Sequence, residues 1–180
     1  HGQIRRQRQM CIRDRIATYA KKIIESGAKV TVISSDKDLM QLVSTKIRLF
    51  DPMKSRVIGE KEVIEKFGVK PNQVIDVQSL AGDSSDNIPG VPGIGVKTAA
   101  ELINKYKNLD TLLKKASEIK QNKRRETLIA NKDKALLSKQ LVTLKDDVPI
   151  KNNPSEFLIK KINKDKLYNF LREMELSLIH

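Results

Sequence analysis

Apolar residues recur at helical spacing from Ile16 through Tyr19, Ala20, Ile23 and Ile24, and Gly27 follows as a stop, which predicts a helix. Lys29–Ser34 (KVTVIS) is β-branched and bounded by polar residues, the pattern of a buried strand. Helix followed by strand predicts an α/β sheet with parallel strands. Ile47–Phe50 and Arg56–Ile58 read as short strands about an Asp51-Pro52 turn. Glu60–Phe67 predicts a helix ended by Gly68, and Pro71 suits the first turn of another reaching Leu80. Further on, Lys97–Tyr106, Leu109–Ala116 and much of Arg124–Leu144 carry helical spacing. Asp146–Ser155, with Pro149 and Pro154, reads as a linker or loop, and Lys164–Leu176 as a last helix.

Composition sharpens this picture. At 180 residues and 39% hydrophobic, the chain is long enough for a genuine core. No apolar run approaches the ~18 residues needed to span a bilayer, the N-terminus lacks the apolar stretch of a signal peptide, and a single Cys rules out a disulfide framework. A cytoplasmic protein is the expectation. Residues 1–15 (HGQIRRQRQMCIRDR) are Arg/Gln-rich where the rest is Lys-rich, and RRQRQMCIRDR resembles translated adapter sequence. This segment is therefore set apart as non-native.

Thirty-five basic against 22 acidic residues give +13 and a pI near 9.8. Residues 1–15 hold five Arg and one Asp, so +9 remains in the body and still points to a polyanionic partner. Trp is absent and aromatics are 4%, which disfavours base stacking and favours phosphate contact. The two histidines are His1 and His180 and the lone cysteine is Cys11, so the body cannot carry a Ser-His-Asp triad, a Cys-His pair or a His/Cys zinc site. Carboxylates and lysines remain.

Asp36 and Asp38 follow directly on the predicted strand, and residues two apart in extended backbone point to one side. Both can converge at the carboxyl end of the strand, where open α/β sheets place ligands. The competing reading is structural: Asp38 caps the helix Leu39–Val43 and Asp36 faces solvent. Asp83 and Asp86 lie three apart, hence on one face if the segment turns helically, although Asp, Ser and Asn are also ordinary turn residues. All-oxygen ligands suit Mg²⁺ or Mn²⁺, and two such ions can activate water and stabilise a leaving oxygen. Four clustered carboxylates repel one another unless cations neutralise them.

The second half of AGDSSDNIPGVPGIGVKTA is a glycine-rich hairpin. Gly90, Gly93 and Gly95 permit tight turns and close backbone approach. The N–H groups opening the next helix, with Lys97 and Thr98, form an anion site. A nucleotide-binding P-loop is a poor fit, because Val96 separates Gly95 from Lys97-Thr98 and no strand leads in. A plain interhelical loop is the structural alternative.

Taken together, SSDKDLMQLV, the DP turn, AGDSSDNIPGVPGIGVKTAAELI, LVTLKDDVPI and LYNFLREMELSLI resemble the 5′-nuclease family, in particular the 5′→3′ exonuclease (flap endonuclease) domain of bacterial DNA polymerase I. The resemblance runs from Ile16 to the C-terminus. It implies a truncated Rossmann-like (PIN-type) sheet remnant, mostly helical α/β in class, followed by a helix–hairpin–helix (helix–three-turn–helix) DNA-binding subdomain. Asp36, Asp38, Asp83 and Asp86 are by resemblance catalytic metal ligands for two Mg²⁺ or Mn²⁺ ions. By the same resemblance the hairpin residues Gly90, Gly93, Gly95, Lys97 and Thr98 hold duplex DNA, with K⁺ on main-chain carbonyls.

Two departures accompany the likeness. The family's Glu-Ala-Asp-Asp cluster falls on Cys11, Ile12, Arg13 and Asp14, so only Asp14 keeps a carboxylate. The family's N-terminal portion, with its first strand, further acidic ligands and basic helical arch, is absent from the sequence. The implied organisation is a non-native segment at 1–15, a partial nuclease core at 16–80, the DNA-binding region at 81–145 and the C-terminal helical end at 146–180. The expected protein is a monomeric, metal-dependent 5′-nuclease of replication and repair, acting on duplex DNA with a 5′ flap or end and fused to or working with a DNA polymerase. Cleavage by these 180 residues is expected to be impaired, because positioning and electrostatics supply most of the rate. The alternatives are a non-enzymatic DNA-binding module, using the hairpin and the lysines at 120, 123, 132, 134 and 139, and a purely structural helical protein.

Overall fold

The computed structural model describes residues 2–159 and 161–174. Helix α1 (Gly2–Glu25) buries Ala17, Thr18 and Ala20. Thr18 Oγ1 donates to the Asp14 carbonyl (2.8 Å) and accepts from the Val148 N–H (3.2 Å), so a polar side chain can be buried there with both functions used. The chain turns at Gly27 (φ +92°) into β1 (Val30–Ile33). A 3₁₀ segment, Lys37–Leu42, crosses over to β2 (Ile47–Asp51), which pairs parallel to β1 with Val30 opposite Ile47. The next four residues, 52–55, are too few for another crossover, so β3 (Arg56–Ile58) returns antiparallel, Leu49 opposite Ile58. The sheet is therefore mixed, in the order β1-β2-β3.

The strand expected to be buried is an edge. In β1 only Val32 is buried and Ile33 is 71% exposed, because among the described residues the strand has a neighbour on one side only. β2 is central, and its alternation puts Ile47, Leu49 and Asp51 inward.

The rest of this unit is helical. α2 (Glu60–Phe67) ends at Gly68, which adopts the left-handed conformation a C-cap requires (φ 71°). The helix expected from Pro71 to Leu80 opens as a 3₁₀ turn, Pro71–Gln73, and continues as α3 (Val74–Ala81). α4 (Val96–Tyr106), α5 (Leu109–Lys114), α6 (Asn122–Ala130) and α7 (Lys132–Val142) follow. The break between α6 and α7 falls at Asn131 (φ −114°, ψ 24°), whose Nδ2 donates to the Thr127 carbonyl (2.9 Å) and satisfies an acceptor that the interrupted helix leaves open.

α3 is the central helix, packed against α4 and α7. Val74, Val77 and Leu80 are fully buried in one core with Leu39, Leu49, Ile58, Ile103, Leu109 and Leu128. Each such side chain contributes roughly 1.5–3 kcal/mol of burial, so sheet, 3₁₀ segment and helices form one cooperative body. Gln41 ties the 3₁₀ segment to the end of α7. It donates to the Asp38 and Val142 carbonyls (2.9 and 3.0 Å) and accepts from Leu144 N–H (3.2 Å).

The chain divides into two compact units, His1–Ile150 and Lys151–His180. The second contains a 3₁₀ turn, Pro154–Phe157, closed by an Asn153/Glu156 capping box, and α8 (Lys164–Glu173), capped by the Asn163 side chain on Lys166 N–H (3.0 Å). Residues 175 and 176 of the expected last helix lie outside the described residues. Among the described residues no helix is long and apolar enough to cross a membrane.

Candidate metal centre and phosphate-binding turn

Asp36 and Asp38 sit where β1 gives way to the 3₁₀ segment. The cap is Asp36 rather than Asp38: Asp36 Oδ1 accepts the Asp38 N–H (2.9 Å), leaving Oδ2 to accept from Arg13 Nε (2.7 Å). Asp38 is 4% exposed. Its Oδ1 accepts from Gln78 Nε2 on α3 (2.7 Å) and its Oδ2 faces Arg13 Nη1 (2.8 Å). Burial pushes the Asp38 carboxyl above its ordinary value, and Gln78 and Arg13 offset this only in part.

Asp83 and Asp86 lie in a tight turn, not a helical one. Asp83 and Ile88 exchange both backbone hydrogen bonds (2.9 and 2.8 Å), so residues 84–87 fold back between them and carry Asp86 toward Asp38. Gly82, Asn87 and Gly90 supply the positive φ angles that this reversal needs (70°, 52° and 58°). Asp83 Oδ1 accepts from Ser85 N–H (3.0 Å). The Lys37 ammonium lies against Asp83 Oδ2, yet that buried oxygen takes no well-directed hydrogen bond. Burial raises the Asp83 carboxyl, but Lys37 and the Ser85 N–H outweigh it and hold the group below its usual value.

The fold thus brings Asp38, Asp83 and Asp86 together, each with a carboxylate oxygen within 4.8 Å of the others. Asp36 is outside that trio and is joined to it through the shared Arg13 guanidinium, which also reaches Asp86 Oδ2 (3.3 Å). Asp14 accepts the Lys145 N–H (2.9 Å) and lines a cavity of ≈ 80 Å³ with Arg13, Asp38 and Asp86. The donor set suits a small divalent cation: hard oxygens only, and converging.

The glycine turn is fixed to α3 and α7 by its backbone. Val91 N–H bonds to the Leu80 carbonyl at the end of α3 (2.7 Å), and Gly90 N–H bonds to Ser138 Oγ on α7 (3.0 Å). Val91 and Ile94 are buried, while Gly93, Gly95 and Lys97 are exposed and Thr98 is half-buried. Gly95 caps α4 in extended conformation (φ −87°, ψ 175°) without a side-chain cap, and no acidic residue stands in the first turn. The opening N–H groups of α4 thus receive no side-chain acceptor from the cap, and Lys97 beside them is exposed.

Sequence reasoning passed over several residues of this region. Lys37 was legible as a cation wedged between two aspartates. Gln78 and Asp76 are polar interruptions of the otherwise apolar VIDVQSLA helix. Lys139, counted among phosphate-facing lysines, instead pairs with Asp110 (2.8 Å) and buried Asp76 (3.5 Å). Asp51 of the DP turn accepts from Ser35 Oγ (2.7 Å) and from the N–H groups of Met53 (3.0 Å) and Lys54 (3.3 Å). The Ser35 bond first, then the backbone donors, hold Asp51 below its ordinary value. The folded state therefore prefers ionised Asp51, and its contribution is complete above about pH 4 and is lost as pH falls through the lower folded value. Melting of Asp51→Asn against the parent is expected to show a gap at neutral pH that closes in acid; a gap independent of pH would remove this role.

A model of the 5′-3′ exonuclease N-terminal resolvase-like domain matches residues 13–68, and a model of the 5′-3′ exonuclease C-terminal SAM fold matches residues 69–165. The chain belongs to the 5′-3′ exonuclease family. Among relatives of this chain, DNA polymerase I of Rhizobium leguminosarum is 53% identical over 164 residues, covering 91% of the chain and 16% of the polymerase. The 5′-3′ exonuclease of Aquifex aeolicus is 38% identical over 164 residues, covering 91% of the chain and 55% of that protein. The chain thus spans about half, or less, of the relatives it matches. In structure it resembles a bacteriophage T5 flap endonuclease solved with DNA and metal ions, at 26% identity and TM-score 0.68, over 73% of this chain and 48% of that one. The catalytic core of Rad2 shares the fold at 20% identity and TM-score 0.56, over 87% of this chain and 55% of that one.

Proposed function

We propose that this exonuclease-family chain is part of a metal-dependent 5′→3′ exonuclease and 5′-flap endonuclease of the DNA polymerase I type. The observation that carries the reading is the meeting of Asp38, Asp83 and Asp86 within 4.8 Å, in the segment just ahead of a helix start that has no side-chain cap and carries Lys97. Residues 16–80 supply the Asp36/Asp38 side of the centre, residues 81–145 the Asp83/Asp86 side and the DNA grip, and residues 146–180 the helical end of the domain. Asp36, Asp38, Asp83 and Asp86 hold Mg²⁺ or Mn²⁺, two ions in the complete protein. Bound there, the ions supply a metal-activated water and stabilise the departing oxygen of a phosphodiester.

The chain's own residues bind and orient. The α4 N–H groups and Lys97 take one strand's phosphates without reading bases, and the turn at Gly90–Gly95 allows close approach of the duplex, with K⁺ on its carbonyls. Lys37, against Asp83, helps to hold that carboxylate ionised. The working protein is a monomer of the cytoplasm, joined to or acting beside a polymerase on duplexes with a 5′ flap or end, and this chain alone cleaves poorly.

The test is a labelled 5′-flap duplex incubated with the chain and with the full-length protein, with Mg²⁺ and with chelator. Chelator-sensitive cleavage by the full-length protein, far weaker by the chain, is expected. Lys97→Ala is expected to weaken duplex binding on all sequences alike and to reduce the slope of log K against log salt by about 1. Binding that ignores salt would exclude the phosphate grip, and cleavage that survives loss of Asp83 and Asp86 would reduce the chain to a DNA-binding module.

A further inference from the structure

One residue of the centre does not behave as a ligand or as a spectator. The Arg13 guanidinium lies among Asp36 Oδ2 (2.7 Å), Asp38 Oδ2 (2.8 Å) and Asp86 Oδ2 (3.3 Å), drawn from two separate places in the chain. Two of these carboxylates, Asp38 and Asp86, belong to the trio that converges for a cation. Arg13 therefore engages two of the three carboxylates a metal ion would use.

Charge limits how many ions the centre can take. Asp14, Asp36, Asp38, Asp83 and Asp86 present five carboxylates to the centre. Arg13 neutralises one and Lys37, against Asp83, another, which leaves three, enough for one divalent ion but not two, whereas without Arg13 the remaining four match two ions. A guanidinium stays charged at any working pH, so it cannot give way to a metal by losing its proton. Departure would also leave a half-buried cation without the three partners it now has, and removing a partner from such a pair is costly.

We infer that Arg13, although it belongs to the segment 1–15 that composition sets apart, stands in for one cation of the centre, so that this chain binds a single divalent ion where four unneutralised carboxylates take two. The inference rests on the metal-binding reading above and adds to it the residue that sets the stoichiometry. Arg13 is a positioning residue: it holds Asp36, Asp38 and Asp86 together without touching the reacting phosphate.

Titration of the 180-residue chain with Mn²⁺, counting free ion by electron paramagnetic resonance, tests it without reference to cleavage. One tight ion is expected on the parent and on Arg13→Lys, and two on Arg13→Gln. The first ion on Arg13→Gln is expected to bind about tenfold tighter, the scale of removing one close like charge. Melting curves in chelator accompany the titration. Arg13→Gln is expected to melt below the parent, through carboxylate repulsion, and to gain more from Mn²⁺. Two tight ions on the parent would show that the guanidinium simply moves aside, and this overturns the inference even if the variant fails to fold. One ion on both parent and Arg13→Gln, at equal affinity, overturns it too while leaving the metal centre intact. No ion on any of the proteins would instead take down the metal reading itself.

Discussion

Asp38→Asn is expected to make the metal-free chain melt at a higher temperature while costing it about a hundredfold or more in divalent-ion affinity. Asp38 is almost entirely enclosed, and burial pushes its carboxyl upward despite the Gln78 and Arg13 contacts. Without metal, the folded state thus disfavours the charge that the unfolded chain carries freely in water. Asparagine keeps the shape and the acceptor for Gln78 Nε2, and it lowers the repulsion from Asp36 and Asp86. Arg13 retains two carboxylates. Each kcal/mol recovered is worth about 2–4 °C in a domain of this size. The loss of affinity follows because even groups one shell out from a metal are worth 10- to 100-fold, and Asp38 lies in the converging trio. Calorimetry in chelator and Mn²⁺ titration read the two effects separately. A lower melting temperature in chelator would mean that the Arg13–Asp38 pair outweighs the burial cost.

Gly90→Ala is expected to be among the most destabilising single changes in the chain, by about 2–5 kcal/mol. Gly90 has φ 58°, and a side chain there costs about 1–2 kcal/mol for the left-handed conformation alone. The added Cβ would also meet backbone on the facing turn, within 2.7 Å of Gly82 Cα and 2.8 Å of the Ala81 carbonyl carbon. Backbone cannot step aside as a flexible side chain does, and overpacking adds about 1–3 kcal/mol. The shift would strain the Gly90 N–H bond to Ser138 and the Val91 bond to Leu80, and with them the position of Asp83 and Asp86. Metal affinity is therefore expected to fall with stability. Gly93→Ala is the control: φ is 75° but nothing lies within 4 Å of the added carbon, so only the conformational cost remains. Equal losses from the two variants in thermal melts would show that conformation, not the Gly82 contact, governs the turn.

Much of the fold was readable in advance, for local reasons. The helices at 60–67 and 96–106 follow from period and from stop or turn residues at their borders. The DP turn between β2 and β3 was equally local, as was the choice of oxygen ligands once histidine and cysteine were confined to the chain ends and residue 11. The edge position of β1 was not, because the apolar pattern KVTVIS is the same whether a strand has one neighbour or two. The break at Asn131 hides inside a continuous helical period.

The candidate centre divides along the same line. Residue type and short spacing marked Asp36, Asp38, Asp83 and Asp86 as two acidic pairs, and they marked the glycine turn as a place where backbone approaches something closely. Whether the pairs meet depends on α3 carrying Asp83 back beneath the 3₁₀ segment, and on the Asp83–Ile88 bridge aiming Asp86 at Asp38. Arg13's part in the centre was out of reach of periodicity and spacing, since a long-range ion pair leaves no mark on either neighbour's local sequence. Sequence alone settled which chemistry the chain can offer, because that is a property of side chains. Tertiary structure alone settled which charges face one another, because Coulomb energy depends on distance through space and not along the chain.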